Sequence, residues 1–134
     1  GVFCAALTFG AMAFFSFCVA PLVFIKLDAD NASKLIRAIF PWYYLVVIAA
    51  GGLGALIFLT IAPRVAIGLA IAALGAFIAR QGLMPRINGA RDQANAGDEE
   101  AKARFDSLHR TSTRINAIGL IGALASVILI GLDH

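Results

Sequence analysis

The sequence predicts an all-α integral membrane protein, a bundle of four membrane-spanning helices. Of its 134 residues, 60% are hydrophobic and only 14% are charged, whereas a soluble domain has about one quarter charged residues. The apolar residues fall into four long runs, each close to the roughly 20 residues that a helix needs to cross a bilayer. A chain of this length has room for one such bundle, so we expect a single four-span membrane domain.

The first two spans are predicted to flank a short amphipathic helix. We expect the first span over residues 1–25 and the second over 42–62. Between them, residues 31–40 carry one apolar face, which is typical of a helix lying in the membrane interface. This short helix should stop at Pro41, and the aromatic cluster at 42–44 is typical of the interfacial belt.

The third and fourth spans are predicted to be joined by a polar segment. We expect the third span over 65–84, a polar loop over 85–97 and the fourth span over 115–132. Residues 98–114 form the charged first half of one long helix whose second half is the fourth span. Acidic residues at 98–100 suit its N-terminus, where the helix dipole favours negative charge. The fourth helix should therefore extend beyond the membrane into the cytoplasm.

Two helix faces are predicted to pack against other helices. The first span carries a stripe of large and small residues at steps of four and three: Gly10, Phe14, Phe17, Pro21 and Phe24. The third span carries a stripe of small residues, which let another backbone come close: Gly68, Ala72, Gly75, Ala79 and Gly82. The expected partner of the second stripe is the pair Gly119 and Ala123 of the fourth helix.

The basic residues predict the orientation of the bundle. Ten of the 11 lysines and arginines fall on one side of the four spans, and only Arg64 falls with the termini. Because basic loops stay on the cytoplasmic side, we expect the two basic loops in the cytoplasm and both termini in the periplasm of a bacterial inner membrane. The net charge of +3 gives no indication of nucleic-acid binding.

A polar stripe runs along the long fourth helix into the membrane. Phe105, His109, Ser112 and Asn116 follow steps of four, three and four, which place them on one face. We interpret His109 as a hydrogen-bonding residue that ties this helix to a neighbouring loop, and Asn116 as a bond between helices. The alternative is that His109 ligates haem or a metal ion, or carries protons.

Arg80 interrupts the third span close to its end. The first interpretation is that its long side chain reaches the lipid headgroups. The alternative is a buried ion pair with Asp92 or Asp106.

Several short motifs, taken together and in order, resemble those of the transmembrane-protein-205-like family. They are FPWYY at 40–44, PRIN with RD between 85 and 92, and FDSLHRTSTRIN at 105–116. That family consists of four-helix membrane proteins of unknown function and is distantly similar to copper-resistance D-type proteins. The resemblance implies the same fold. The positions of interest that match it are Pro41, Pro85, Asn88, Arg91, Asp92, Phe105, His109, Ser112 and Asn116.

The sequence predicts a non-catalytic protein, an accessory or structural subunit that packs against a larger membrane complex or against itself. The sequence contains no motif of a phosphate-binding loop, a zinc peptidase or a nucleophile elbow. No cofactor is expected. Two alternatives stay open. One is a haem- or metal-handling protein that uses His109, and the other is a small transporter or efflux helper.

Overall fold

Four long helices make up the protein. The computed structural model describes residues 1–132, and its helices are α1 (Val2–Lys26), α2 (Ala29–Phe58), α3 (Pro63–Asn95) and α4 (Glu99–Leu132). Each of them is long and apolar enough to cross a membrane. The predicted all-α four-helix membrane bundle is therefore confirmed.

Short turns join successive helices, so neighbours in the chain run antiparallel. α3 packs against both α2 and α4, while α1 lies against α2 and α4. At one end of the bundle α1 stops, α2 begins, and α3 and α4 meet in a turn. We call this the basic end, because Lys26, Lys34, Arg37 and most other basic residues lie there.

α2 is continuous through Pro41, so the prediction of a separate interfacial helix over 31–40 is wrong. The helix begins after Asp28, whose Oδ1 accepts a hydrogen bond from the Asn31 backbone N–H at 2.8 Å and caps the first turn. Pro41 removes only one N–H from the helix, and spanning helices tolerate an internal proline where neighbouring helices hold them. Here Arg37 and Arg80 connect this part of α2 to α3.

The predicted loop over 85–97 is also wrong, because α3 continues as a helix to Asn95. The connection to α4 is confined to residues 96–98, where Gly97 adopts the left-handed conformation with φ +102°. Asp98 then accepts hydrogen bonds from the backbone N–H groups of Glu100 and Ala101 at 3.0 and 3.2 Å. The end of α3 and the start of α4, residues 85–114, thus form a helical hairpin, which we call the basic hairpin.

Two π-helical turns accompany prolines inside α1 and α3. They cover Phe15–Val19 and Ala79–Leu83, and each ends two residues before a proline, Pro21 in α1 and Pro85 in α3. Proline lacks the N–H for the next helical bond, and its ring crowds the carbonyl one turn earlier. The wider turn accommodates both effects, so α3 continues through Pro85 instead of ending there.

The closest helix contact joins α3 and α4 through small residues, as predicted. A methyl group on Gly68 would fall on the Ser126 hydroxyl and the Gly122 carbonyl, and one on Gly119 would lie 3.3 Å from the Ala72 Cα. Ser126 Oγ lies 2.9 Å from the Val65 carbonyl oxygen and 3.0 Å from that of Gly122. Gly82, at the end of the predicted stripe, takes no part in this contact, because a Cβ there would meet open space.

The aromatic stripe of α1 does not pack inside the bundle. Phe14, Phe17 and Phe24 are 64%, 69% and 50% exposed, and Gly10 has open space around it. The prediction that this face packs against another helix is therefore not met by the helices of this chain within residues 1–132, and packing against another protein stays a prediction. Phe15 instead of Phe14 continues the inward face of Ala5, Thr8 and Met12 at steps of three and four, and it is only 7% exposed.

Candidate functional site

A hydrogen-bonded cluster joins three helices inside the half of the bundle that lies towards the basic end. The Tyr43 hydroxyl of α2 donates to Asn116 Oδ1 of α4 at 2.8 Å. Asn116 Nδ2 then donates to the Ser16 hydroxyl of α1 at 2.9 Å. Next to them, the hydroxyl oxygens of Tyr44 and Ser112 lie 3.3 Å apart. These five residues are called the inner polar cluster below, and they confirm the prediction that Asn116 bonds helices together.

Stacked aromatic rings hold the two tyrosines in place. The Phe15 ring lies on the Tyr43 ring, with centroids 4.2 Å apart and an angle of 17° between the planes. Phe40 stacks in the same way on Tyr44, at 5.3 Å and 16°. Tyr43 and Tyr44 are only 7% and 5% exposed. The hydroxyl groups are therefore aimed at α4 by packing as well as by their hydrogen bonds.

A small cavity of about 10 Å³ lies beside this cluster. Its walls include Tyr43, Tyr44 and Asn116 together with apolar residues of α1, α2 and α3, among them Met12, Val47 and Ala76. This volume is near the smallest that accommodates one water molecule, and the adjoining amide and hydroxyl groups supply the polar partners that such a water needs. The inner polar cluster can thus hydrate one position inside the bundle.

A second polar contact, outside the apolar part of the bundle, fixes the basic hairpin to α2. Arg37 Nη2 donates to the Asn88 carbonyl oxygen and to Asp92 Oδ1, both at 2.7 Å. We call these three residues the Arg37 clamp. Within residues 1–132 the buried Nε of Arg37 has no hydrogen-bond partner. The clamp shows why α2 extends beyond the membrane region alongside α3.

The basic hairpin is also held within itself. Arg104 Nη2 donates to Gln93 Oε1 at 2.7 Å, which ties the start of α4 to the end of α3. The Arg91 guanidinium lies 5.2 Å from the centre of the Phe105 ring, within the range of a cation–π contact. Arg91 and Phe105, both singled out in the sequence, therefore meet each other.

Arg80 does not form an ion pair with Asp92 or Asp106, which was the alternative to contact with the lipid headgroups. Its Nε donates to the Pro41 carbonyl oxygen at 3.3 Å, and Asp92 is paired with Arg37 instead. Arg80 is the second residue of the π-helical turn Ala79–Leu83 of α3. The residue therefore links α3 to α2 near the internal proline.

His109 does not tie α4 to a neighbouring loop, so that prediction is wrong. Its side chain is exposed, and its ring stacks on Phe105 of the same helix with centroids 5.8 Å apart. The segment that was expected to be its partner loop is helical. Among residues 1–132, histidine, cysteine and acidic side chains form no group of three or more that could hold a metal ion.

Four residues of these contacts were missed in the sequence. Ser16 is an isolated hydroxyl residue in an apolar span, and Tyr43 and Tyr44 were assigned only to an interfacial belt. Arg37 was placed on the surface of a short separate helix. An isolated polar residue in a membrane span is the signal that could have identified Ser16, since buried polar groups need partners. Pro85, in contrast, is exposed and contributes through the backbone of α3.

Fold and polar contacts define the class: an integral membrane protein built as a four-helix bundle with a helical hairpin beyond its basic end. A family described as "Domain of unknown function (DUF4149)" matches residues 3–96. The chain belongs to this family. The matched region covers all but the first residue of α1 and the whole of α2 and α3, so Ser112 and Asn116 of the inner polar cluster lie outside it. No curated protein and no solved structure matches the chain.

Proposed function

We propose that the protein is a non-catalytic accessory or structural subunit that packs against a larger membrane protein complex. The observation that carries this proposal is the outer α1 face, defined as Phe3, Gly10, Phe14 and Phe17. The three phenylalanines are 75%, 64% and 69% exposed. A Cβ added to Gly10 would have nothing within 4 Å. Gly10 therefore serves no contact inside this chain.

A glycine among exposed rings suits contact with a helix of another protein. In a helix interior, glycine lowers the stability of the helix by about 1 kcal/mol relative to alanine. In membranes, small residues allow the backbone of another helix to approach closely. The rings of Phe3, Phe14 and Phe17 would then pack around that helix. The chemistry of the partner surface is that of an apolar transmembrane helix.

The interior of the bundle supports the same proposal. The cavity beside the inner polar cluster measures about 10 Å³, and Ser16, Tyr43 and Asn116 bond to one another. Such an interior suits a rigid unit that acts through its outer surface. By comparison, haem or metal binding at His109 would have to use an exposed side chain that stacks on Phe105.

We further propose that the protein resides in a bacterial inner membrane with its basic end in the cytoplasm. The distribution of lysines and arginines supports this orientation. A relationship to the transmembrane-protein-205-like family is part of the proposal too. Its support is that the motifs contact one another in pairs. Tyr43 and Tyr44 of FPWYY contact Asn116 and Ser112 of the third motif, and Arg91 of the second motif lies over the Phe105 ring of the third.

Gentle solubilisation of native membranes, followed by a native gel and mass spectrometry of the band, tests the accessory role. The wild-type chain should migrate with a larger complex. Gly10→Leu should release it, because the added side chain blocks the outer α1 face without meeting anything inside the bundle. Gly131→Leu is the matched control, since Gly131 of α4 also has open space around it. A wild-type band that contains only this chain would contradict the proposal.

A further inference from the structure

An open groove runs between α1 and α2 towards the basic end of the bundle. Its volume is about 380 Å³. Phe14 and Val19 of α1 and Ala38, Trp42 and Val46 of α2 are among the residues that line it. All of these side chains are apolar or aromatic, and the groove opens sideways to the position of the lipid.

The dimensions of this groove favour a single hydrocarbon chain over a helix. Ala38 to Val46 covers a little more than two turns of α2, or roughly 12 Å along its axis. A volume of about 380 Å³ over that length gives a mean cross-section of roughly 30 Å², or about 6 Å across. An α-helix with its side chains is about 10–12 Å wide. A helix would rest on the rims, whereas one acyl chain would enter.

The groove is aligned with a lipid tail in the leaflet at the basic end. Ala38 and Val19 mark its end nearest the headgroups, and Val46 marks its deep end. Trp42, 70% exposed, stands on the rim, as tryptophan does near the headgroup level.

A lysine from each helix lies beyond the headgroup end of the groove. Lys34 precedes Ala38 by one turn of α2, and Lys26 follows Val19 by two turns of α1, which places each lysine on the groove side of its helix. Beside Lys34 lies the Asp30 carboxylate, with Oδ2 3.3 Å from Lys34 Nζ. Both groups of that pair are mostly exposed, with side chains 72% and 81% accessible, so their attraction is weak. Asp28 is occupied as the cap of α2.

We propose that this groove binds one anionic phospholipid, with an acyl chain between α1 and α2 and the phosphate group at Lys26 and Lys34. The apolar lining holds the chain by burying hydrocarbon surface. The two lysines give preference for a headgroup with a net negative charge. The groove shares Phe14 with the outer α1 face, but Gly10 does not line it, so the Gly10→Leu and Lys34→Gln tests allow either proposal to fail alone.

Trp42 is the only tryptophan of the chain, so its fluorescence reports directly on the groove. The full-length protein is placed in phosphatidylcholine bilayers that contain increasing fractions of brominated phosphatidylglycerol or of brominated phosphatidylcholine. Bromine quenches tryptophan on contact, and the two curves give the relative affinity of the site. Brominated phosphatidylglycerol should be favoured by about fivefold for each lysine that contacts the headgroup. Equal quenching by the two lipids would overturn the proposal.

Three variants separate a lipid site from general exposure of Trp42. Lys34→Gln should lower the preference for phosphatidylglycerol by about fivefold, whereas Lys102→Gln, on the basic hairpin, should leave it unchanged. Ala38→Leu fills the groove and should weaken quenching by the anionic lipid. Circular dichroism of each variant confirms that the helices are intact. If Lys34→Gln kept the full preference for phosphatidylglycerol, the anionic lipid would not be the occupant. The same conclusion would follow if quenching by both lipids fell as the protein concentration rose, since a second copy of the chain would then cover Trp42.

Discussion

At the scale of single residues, Asn116 connects α4 to two other helices, α1 and α2. It accepts a hydrogen bond from Tyr43 and donates one to Ser16. Hydrogen bonds between membrane helices contribute about 0.6 kcal/mol on average and at most about 1.7 kcal/mol in measured cases. The loss of Asn116 removes two of them and leaves a buried tyrosine hydroxyl without its acceptor.

Asn116→Ala should therefore lower the free energy of unfolding by about 1–3 kcal/mol, measured by denaturant titration in detergent micelles. A double-mutant cycle with Tyr43→Phe isolates the pair, because that change keeps the ring on Phe15 and removes only the hydroxyl. Thr113→Ala is the control, since Thr113 is exposed and its hydroxyl bonds only to the His109 carbonyl of its own helix. Additive effects of Asn116→Ala and Tyr43→Phe would contradict the coupling.

Gly68 is the second residue whose replacement has a definite expected cost. A Cβ there would meet the Gly122 carbonyl, and a backbone group of a packed helix cannot move aside. Gly68→Ala should therefore destabilise the bundle by about 1–3 kcal/mol, the usual range for overpacking. Gly89→Ala on the same helix has open space and should stabilise it by up to about 1 kcal/mol through helix propensity. Thermal unfolding in the same detergent compares them, and equal midpoints would refute the close contact.

At the scale of the helices, prolines explain why the sequence predicted the spans well and their boundaries less well. The four apolar runs identify four crossings because hydrocarbon length and side-chain polarity decide them. Pro41 and Pro85 were interpreted as helix ends, since proline removes one helical N–H. The π-helical turn before Pro85 and the contact of Arg80 with the Pro41 carbonyl depend on tertiary neighbours, which no local pattern contains.

The contacts of the inner polar cluster were also predictable only in part. The spacing along α4 placed Ser112 and Asn116 on an inward face, and helical geometry alone is enough for that. The partners of Asn116, Tyr43 and Ser16, lie 73 and 100 residues away in the chain, and Tyr44, the partner of Ser112, lies 68 residues away, so no spacing rule connects them. His109 shares the face of Asn116 but lies beyond the packed part of the bundle, where it is exposed.

The Arg37 clamp predicts a local effect at the level of elements. Arg37→Ala removes the hydrogen bonds that fix the end of α3 to α2 and should raise hydrogen-exchange rates over residues 86–96. The expected increase is only about tenfold, because Asp92 is partly solvated and its bond to Arg37 is correspondingly weak. Exchange in the membrane-embedded parts of the helices should stay the same. Lys34→Ala is the control, because its ion pair with Asp30 lies within α2. Unchanged exchange over residues 86–96 would show that the clamp does not hold the hairpin.

At the scale of the whole molecule, four antiparallel spans place the turn at residues 59–62 and the turn at residues 96–98 on opposite sides of the membrane. Cys4 and Cys18 are free thiols and would be replaced by alanine. In intact cells, a membrane-impermeant thiol reagent should label Ile61→Cys, which lies at the end without the basic residues. It should label Ala96→Cys only after permeabilisation. The reverse pattern would contradict the proposed orientation.

The contacts inside the whole molecule also explain why the proposed role is placed on its outer surface. Its polar side chains near the centre bond across α1, α2 and α4, and its small residues bring α3 and α4 together. Phe3, Gly10 and Phe17 of the outer α1 face share in neither contact. The interior contacts thus stabilise the bundle, and the proposed recognition of a partner falls to the outer α1 face.

Site-specific photocrosslinking in native membranes tests this central claim most directly. A photoreactive amino acid replaces Phe17 on the outer α1 face, and in a separate variant it replaces Ile118 of α4, which is 58% exposed and faces away from the bundle. Illumination should join the Phe17 variant to one defined membrane protein, the same one that accompanies the chain in the native gel. The Ile118 variant should form lipid adducts only. Lipid adducts alone at both positions would show that the outer α1 face faces lipid and not a protein partner.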